Sequence, residues 1–169
     1  MREYLTDREI TDKLKELTII CDSREQENTH VTGYFEFHKV PIISRKLGAG
    51  DYSAMIGNMT FENEVVIEKK NSIDEIAGSF TVDRERFERE FIRAKAENLK
   101  IYLLIENCSW ARIAAHDYRS KLLPKALIAS LMSWQVKYNI TVNFCDSSET
   151  GQIIYGTLYY YAKHALEKG

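Results

Sequence analysis

Between Lys100 and Glu106 the chain carries five apolar residues in unbroken succession, Ile101, Tyr102, Leu103, Leu104 and Ile105. A strand with one wet face alternates apolar and polar side chains, so a run without alternation marks a central strand covered on both faces. Such a strand needs helices above and below it. A second run, Leu17-Thr18-Ile19-Ile20-Cys21, has the same length and character and ends in the polar cluster Asp22-Ser23-Arg24-Glu25, at the place where strand ends deliver functional side chains.

Helical patterns surround these strands. Thr6 followed by Glu9 is a capping box ahead of the apolar positions Ile10, Leu14 and Leu17. Over residues 28–40, Val31, Tyr34, Phe35 and His38 make a helical stripe interrupted by Gly33 and closed by Pro41. Residues 42–47, 51–56 and 64–70 read as strands, with a turn near Gly57-Asn58. A tight turn there pairs Asp51 near Glu64, whereas a longer loop centred near Met59 and Thr60 sets Asp51 opposite Glu68; the longer loop is favoured. Ser72-Ile73-Asp74-Glu75 opens a helix reaching about Phe80, and helices follow over residues 83–97, 122–138 and 149–166, with a strand over 140–144. No linker divides this order. Residues 1–169 are read as one α/β domain, a central mixed sheet flanked by helices.

The 169 residues suit a single core, and a net charge of −2 means that any bound nucleic acid must meet a local basic patch. Cys21, Cys108 and Cys145 are odd in number and far apart, with neither disulfide nor zinc-ligand spacing. The N-terminus is polar (Arg2, Glu3, Asp7, Arg8, Glu9), and no apolar run approaches the ~20 residues that span a bilayer. A soluble, intracellular protein without a membrane partner is expected.

The chemistry gathers around Asp51, Glu68 and Lys70. Alternation along residues 64–70 projects Glu68 and Lys70 to one face and Lys69 to the other. Two carboxylates and an ammonium together can hold a divalent cation through hard oxygen ligands and steady a water or phosphate beside it, the equipment for cleaving a phosphodiester. Asp22, Arg24 and Glu25 are either further site members or an Asx-type turn with a surface ion pair. Asp74, in a first helical turn, is either a functional acid or a cap. Arg86, Arg89 and Arg93 recur at helical spacing and lie either along a DNA backbone or on a solvated face, where Glu85 pairs with Arg89. The histidines have no metal-binding spacing. The stripe Tyr155, Leu158, Tyr159, Ala162 and Leu166 is read as core, which leaves Tyr160 and Tyr161, with Trp134 and Tyr138, as a surface for self-association.

The assembled string Gly50-Asp51…Glu68-Lys69-Lys70-Asn71-Ser72-Ile73-Asp74 resembles the GD…ERKxxxD signature of the XPF-type structure-specific endonucleases, within the restriction-endonuclease-like PD-(D/E)XK superfamily. The match extends further. Ile20-Cys21-Asp22-Ser23-Arg24-Glu25 resembles the family's hydrophobic-D-x-R-E step, Ile76-Ala77-Gly78-Ser79-Phe80 its Gly-Ser helix end, and Leu103-Leu104-Ile105-Glu106 its central strand. The resemblance is strongest over residues 17–145, with a C-terminal helix within 146–169. One departure lies inside the motif, where Lys69 stands in place of the family's usual arginine and offers a point charge instead of a two-pronged fork.

The resemblance implies a metal-dependent endonuclease acting on branched or flap DNA in repair, recombination or replication, with Mg²⁺ or Mn²⁺ as cofactor. Asp51 and Glu68 become metal ligands, the Lys69 backbone carbonyl a third, Asp22 a further candidate, and Lys70 the group beside the attacking water. Arg24, Lys69 and either Arg84 or Arg86 become DNA contacts, and Glu25 and Asp74 supporting acids. Members commonly append a tandem helix-hairpin-helix module or a helicase, and neither pattern is read here, so structure selectivity is expected from a homodimer, another partner, or not at all. The alternatives are a catalytically silent DNA-binding or scaffold subunit, and a junction resolvase or restriction-like duplex nuclease.

Overall fold

The computed structural model describes residues 4–168, so Arg2, Glu3 and Gly169 lie outside it. The chain runs α1 (Asp7–Leu14), β1 (Leu17–Asp22), α2 (Thr29–Phe37), β2 (Ile42–Arg45), β3 (Tyr52–Ile56), β4 (Met59–Thr60), β5 (Val65–Lys70), α3 (Ile73–Thr81), α4 (Arg84–Ala96), β6 (Lys100–Glu106), α5 (Trp110–Ala114), α6 (Pro124–Lys137), β7 (Ile140–Cys145) and α7 (Thr150–Lys168). Its seven-stranded sheet has the order β2-β1-β3-β5-β6-β7, with β4 paired to β3. β1 runs parallel to β2, and β5, β6 and β7 run parallel to one another, while β3 is antiparallel to both β1 and β5. One edge of the sheet therefore collects the ends of β1, β5, β6 and β7 and the start of β3.

The expected double cover of β6 is present. Leu104 belongs to a core beneath α1, α2 and α7, whereas Leu103 and Ile105 join a second core under α3, α4 and α6. Full burial of side chains such as Ile19, Leu103 and Ile105 stabilises by about 1.5–3 kcal/mol apiece. On the α7 side the packing is close: a Cβ on Gly151 would stand 2.6 Å from Tyr34 Cβ, so α7 can lie against α2 only with glycine there.

Both capping signals are used. Thr6 and Glu9 bond reciprocally, and Ser72 accepts from the Glu75 N–H while the Glu75 carboxylate accepts from the Asn71 N–H. The return from β3 to β5 differs from the expected long loop. Gly57-Asn58 makes a tight turn that pairs Ile56 with Met59, and a second turn at residues 61–64, in which Phe61 O accepts from Glu64 and Val65, then redirects the chain. Burial of Phe61 anchors this second turn. Tyr52 consequently pairs with Ile67, and the Asp51 N–H donates to Ile67 O at 2.8 Å, so Asp51 stands opposite Glu68 by a two-stage route.

The aromatic surface expected at the C-terminal end is mostly interior. Trp134 is 1% exposed and stacks on Phe80 with ring centroids 4.1 Å apart; Tyr138 packs against Phe91, and Tyr161 against Phe61. Tyr160 alone of the four is open to solvent. Among the described residues no helix is long and apolar enough to cross a membrane.

Candidate active site

Three chain segments meet at the sheet edge through backbone bonds. The Asp22 N–H donates to Asp51 O at 2.7 Å, the Asp51 N–H to Ile67 O, and the Lys69 N–H to Asp51 Oδ2 at 2.7 Å. Gly50 makes this junction possible. Its φ is +69°, and a Cβ there would lie 2.7 Å from Val66 Cβ, so only glycine lets the chain pass close enough to β5 to deliver Asp51.

On the α4 side of the sheet, Asp51, Glu68 and Lys70 line one cavity of about 330 Å³ together with Asp22, Arg24, the Gly48–Gly50 backbone and Arg86, Phe87, Glu90 and Arg93 of α4. Lys70 Nζ donates to Glu68 Oε1 at 3.0 Å, stands 3.5 Å from Glu75 Oε1, and lies 4.8 Å from the Phe87 ring centre. The Lys70 and Glu68 side chains are 11% and 19% exposed, so this is an enclosed pair and not a solvated surface one.

The charges here are out of balance. Burial, then the facing Glu68, pushes the Asp51 carboxyl up to about 8, against the lowering effect of the Lys69 N–H. Burial also raises Glu68, in opposition to Lys70, and Glu90 and Glu75 raise it further. For Lys70, burial alone would lower the ammonium, but Glu68, Glu75 and Asp51 together carry it above its ordinary value. One lysine thus faces a surplus of carboxylate. Such a donor set fits a hard divalent cation, which would relieve the repulsion that now favours protonated carboxyls. Asp51 and Glu68 are the side chains able to hold it. Among the described residues no three acidic, histidine or cysteine side chains converge for a metal. Strand alternation turns the Lys69 carbonyl, like its N–H, toward Asp51.

A model of the ERCC4 domain matches residues 21–157. The chain belongs to the ERCC4 domain family. An XPF from Aeropyrum pernix aligns in structure with a TM-score of 0.63 and 23% sequence identity, over 85% of this chain and 61% of that one. The chain therefore spans less than two thirds of that protein's length, and the likeness establishes the fold, the mixed sheet flanked by helices of an XPF nuclease. No curated protein matches the sequence.

Within this ERCC4 domain the other expected site residues sort by location. Asp22 is 2% exposed, and donors occupy both its oxygens: Oδ1 accepts from Arg24 N and Nε, Oδ2 from Arg24 Nη2 and from Leu47 N at 2.7 Å. These bonds, led by the Arg24 side chain and opposed by burial, hold its carboxyl down at about 2. Asp22 ties the 46–50 loop to β1, which is the Asx-type reading, while the Arg24 side chain remains largely exposed at the cavity mouth. Lys69 does not reach a DNA-facing surface. Its side chain is 0% exposed on the opposite face of the sheet, where the ammonium donates to Glu27 O at 3.1 Å and to Asn71 Oδ1, with Glu25 at 3.6 Å. Glu25 is thereby the counter-charge of Lys69 on that face. Asp74 points elsewhere too, because its Oδ1 accepts from the Arg119 and Ser120 N–H groups and fastens the loop after α5.

Arg86 lines the cavity, whereas Arg84 pairs with Glu88 and lies over Phe80. Glu75 and Glu90 were not singled out as site residues by sequence, and Arg93 only as part of the basic stripe of α4. Glu75 was readable as a cap and is also a Lys70 contact; Glu90 and Arg93 follow Arg86 at four- and seven-residue spacing, a helical-face signal.

Proposed function

We propose that this ERCC4 domain is a metal-dependent endodeoxyribonuclease cutting branched or flap DNA, with repair, recombination or replication intermediates as its natural substrates. The observation that carries the reading is the convergence of Asp51, Glu68 and Lys70 in one cavity, with more carboxylate than Lys70 can balance. Asp51 and Glu68, with the Lys69 carbonyl, would hold Mg²⁺ or Mn²⁺, since an oxygen-only donor set favours these ions over zinc. When bound, the cation lowers the pKa of its water and polarises a phosphoryl oxygen.

The chain's own groups do the rest. Lys70, kept protonated by Glu68 and positioned from the other side by Glu75, orients the attacking water or offsets negative charge gathering on the phosphoryl oxygens. The water oxygen bonds to phosphorus as the phosphorus–oxygen bond to the departing nucleotide breaks, the water giving up a proton to solvent and the departing oxygen taking one from it. Arg24 and Arg86, both exposed at the cavity mouth, hold the phosphates on either side, the local basic contacts that a net charge of −2 makes necessary.

The deciding experiment incubates labelled flap, fork, four-way junction, linear duplex and single-stranded DNA with Mg²⁺ or Mn²⁺. Cleavage that prefers branched substrates and stops on chelation is expected. Binding without cleavage of any substrate would instead establish the silent-subunit reading. A homodimer belongs to the same proposal, with its surface moved from the C-terminal aromatics to α6. Met132 and Val136 there, one turn apart on the helix, are 52% and 88% exposed, beside the terminal strand β7. Sedimentation at micromolar concentration should give about twice the 19.6 kDa chain mass, and Val136→Glu with Met132→Glu should shift it to monomer.

A further inference from the structure

Four arginines of α4 meet different surroundings. Arg84, Arg86 and Arg89 stand 3.4, 3.5 and 3.8 Å from Glu88, Asp83 and Glu85, respectively. Arg93 makes no ion pair among the described residues, although Glu90 and Glu97 lie three positions before and four after it on the same helix. It is the arginine that lines two cavities: the catalytic one, and an adjoining cavity of about 230 Å³ bordered by Gly48, Ala49, Glu62, Glu90, Glu97 and Leu99. Among the residues lining that second cavity, Arg93 is the one cation. Along α4 the cleft therefore presents plus, minus, plus: Arg86, Glu90 and Arg93.

The spacing has a counterpart in the substrate. Seven helical residues rise about 10.5 Å, room for the two guanidiniums to meet different phosphates of a strand whose charges advance about 3.4 Å per step along the duplex axis while winding round it. The acidic centre between the arginines sits over the carboxylates that would hold the cation, where a bare phosphate is repelled and a metal-bound one is not. Resting on the nuclease reading above, we infer that Arg93 is a substrate-positioning residue, which with Arg86 clamps two phosphates of one DNA strand across the scissile position. The acidic wall of Glu62 and Glu97 marks where that track ends.

The test measures affinity for a fluorescently labelled fork without divalent cation, so that nothing is cut, between about 50 and 200 mM salt. Arg93→Ala should weaken binding about tenfold at the low-salt end and reduce the log–log salt slope by about 0.9, the signature of one lost phosphate contact. Arg86→Ala should match it. Arg93→Lys should restore the slope, and Arg89→Ala, whose side chain lines neither cavity, should leave slope and affinity at wild-type values. In Mg²⁺, Arg93→Ala should raise KM more than it lowers kcat. Wild-type cleavage together with an unchanged slope and affinity for Arg93→Ala would overturn the clamp and leave the nuclease reading intact. A wild type that binds no DNA at all would overturn both.

Discussion

Lys69 and Lys70 are sequence neighbours, both buried, at the same end of the same strand, yet the two faces of the sheet treat them oppositely. Facing α2 and α7, Lys69 is fully served by Glu27 O, Asn71 Oδ1 and Glu25, and nearby Glu106 is likewise satisfied by His30 Nε2 at 2.5 Å and Thr150 Oγ1 at 2.6 Å. Facing α4, Lys70 meets Glu68 and Glu75 with Asp51 and Glu90 alongside, while the arginines of that cavity, Arg24, Arg86 and Arg93, stand exposed at its mouth and leave the buried carboxyls raised. The first face uses charge to hold α2 to the sheet. The second holds buried carboxyls at a local stability cost, the kind of perturbed cluster that marks a candidate site.

The sharpest break of this contrast removes the acids of the open face. Glu68→Ala or Asp51→Ala should lower cleavage by about a thousandfold or more, since each deletes a carboxylate that would hold the cation, while thermal unfolding shows no loss of stability. Near wild-type cutting by either variant would place the chemistry elsewhere. Lys69→Ala should do the reverse. It strands Glu25 without its counter-charge and should cost about 3 kcal/mol of unfolding free energy by denaturant titration, with cleavage per folded molecule nearly retained.

The imbalance also has a pH signature. Because the folded-state pKa of Asp51 is raised to about 8 from an ordinary value near 3.8, its contribution to stability is fully present below about pH 4 and is lost as pH rises toward 8. Glu68 shifts in the same direction, whereas Lys70, raised from an already high value, stays charged throughout this range and adds no slope. Asp22, held at about 2, contributes its own change only in strong acid. The metal-free protein should therefore lose stability steadily between pH 5 and 8, Asp51→Asn should flatten that slope, and Mg²⁺ should restore the melting temperature at pH 8. A flat profile in the wild type would mean that the two carboxyls are better compensated than their surroundings suggest.

Much of this was readable along the chain, for reasons that also explain the rest. β6 and β1 announce themselves because burial on both faces removes the alternation, only the half-buried Thr18 breaking the run in β1, and Glu68 opposite Lys69 follows from strand alternation alone. The five-residue α5 was unread because Trp110–Ala114 is too short to show a period, and β4 because Met59–Thr60 is two residues inside what otherwise reads as a loop. Trp134 was misplaced since its partners, Phe80, Phe87 and Phe91, come from α3 and α4, far away in sequence. For Asp22 the three Arg24 bonds are local and fit the Asx-type turn with an ion pair, whereas the fourth donor, Leu47 N, comes from across the β1–β3 connection.

The smallest expected effect separates two adjacent acids, Asp74 and Glu75, that a motif reading alone would rank the other way. Asp74 sits in the first turn of α3, but its Oδ1 turns from the cavity to accept from Arg119 N at 2.7 Å and Ser120 N at 3.2 Å, whereas Glu75 comes within 3.5 Å of the Lys70 ammonium. Asp74→Ala should leave those two loop amides to water and cost about 1 kcal/mol, because the loop is largely exposed and water replaces much of what is lost. Cleavage should change less than threefold. Glu75→Gln, by contrast, keeps the α3 cap and removes one of the charges holding Lys70 protonated, so its effect should appear as a fall in the alkaline limb of the cleavage pH profile and not in stability. Should Asp74→Ala abolish cleavage at unchanged stability, the Asp74 carboxylate must swing from the loop into the site when DNA binds, and the division between a charge-satisfied scaffold and a charge-starved cavity would have to be redrawn to include it.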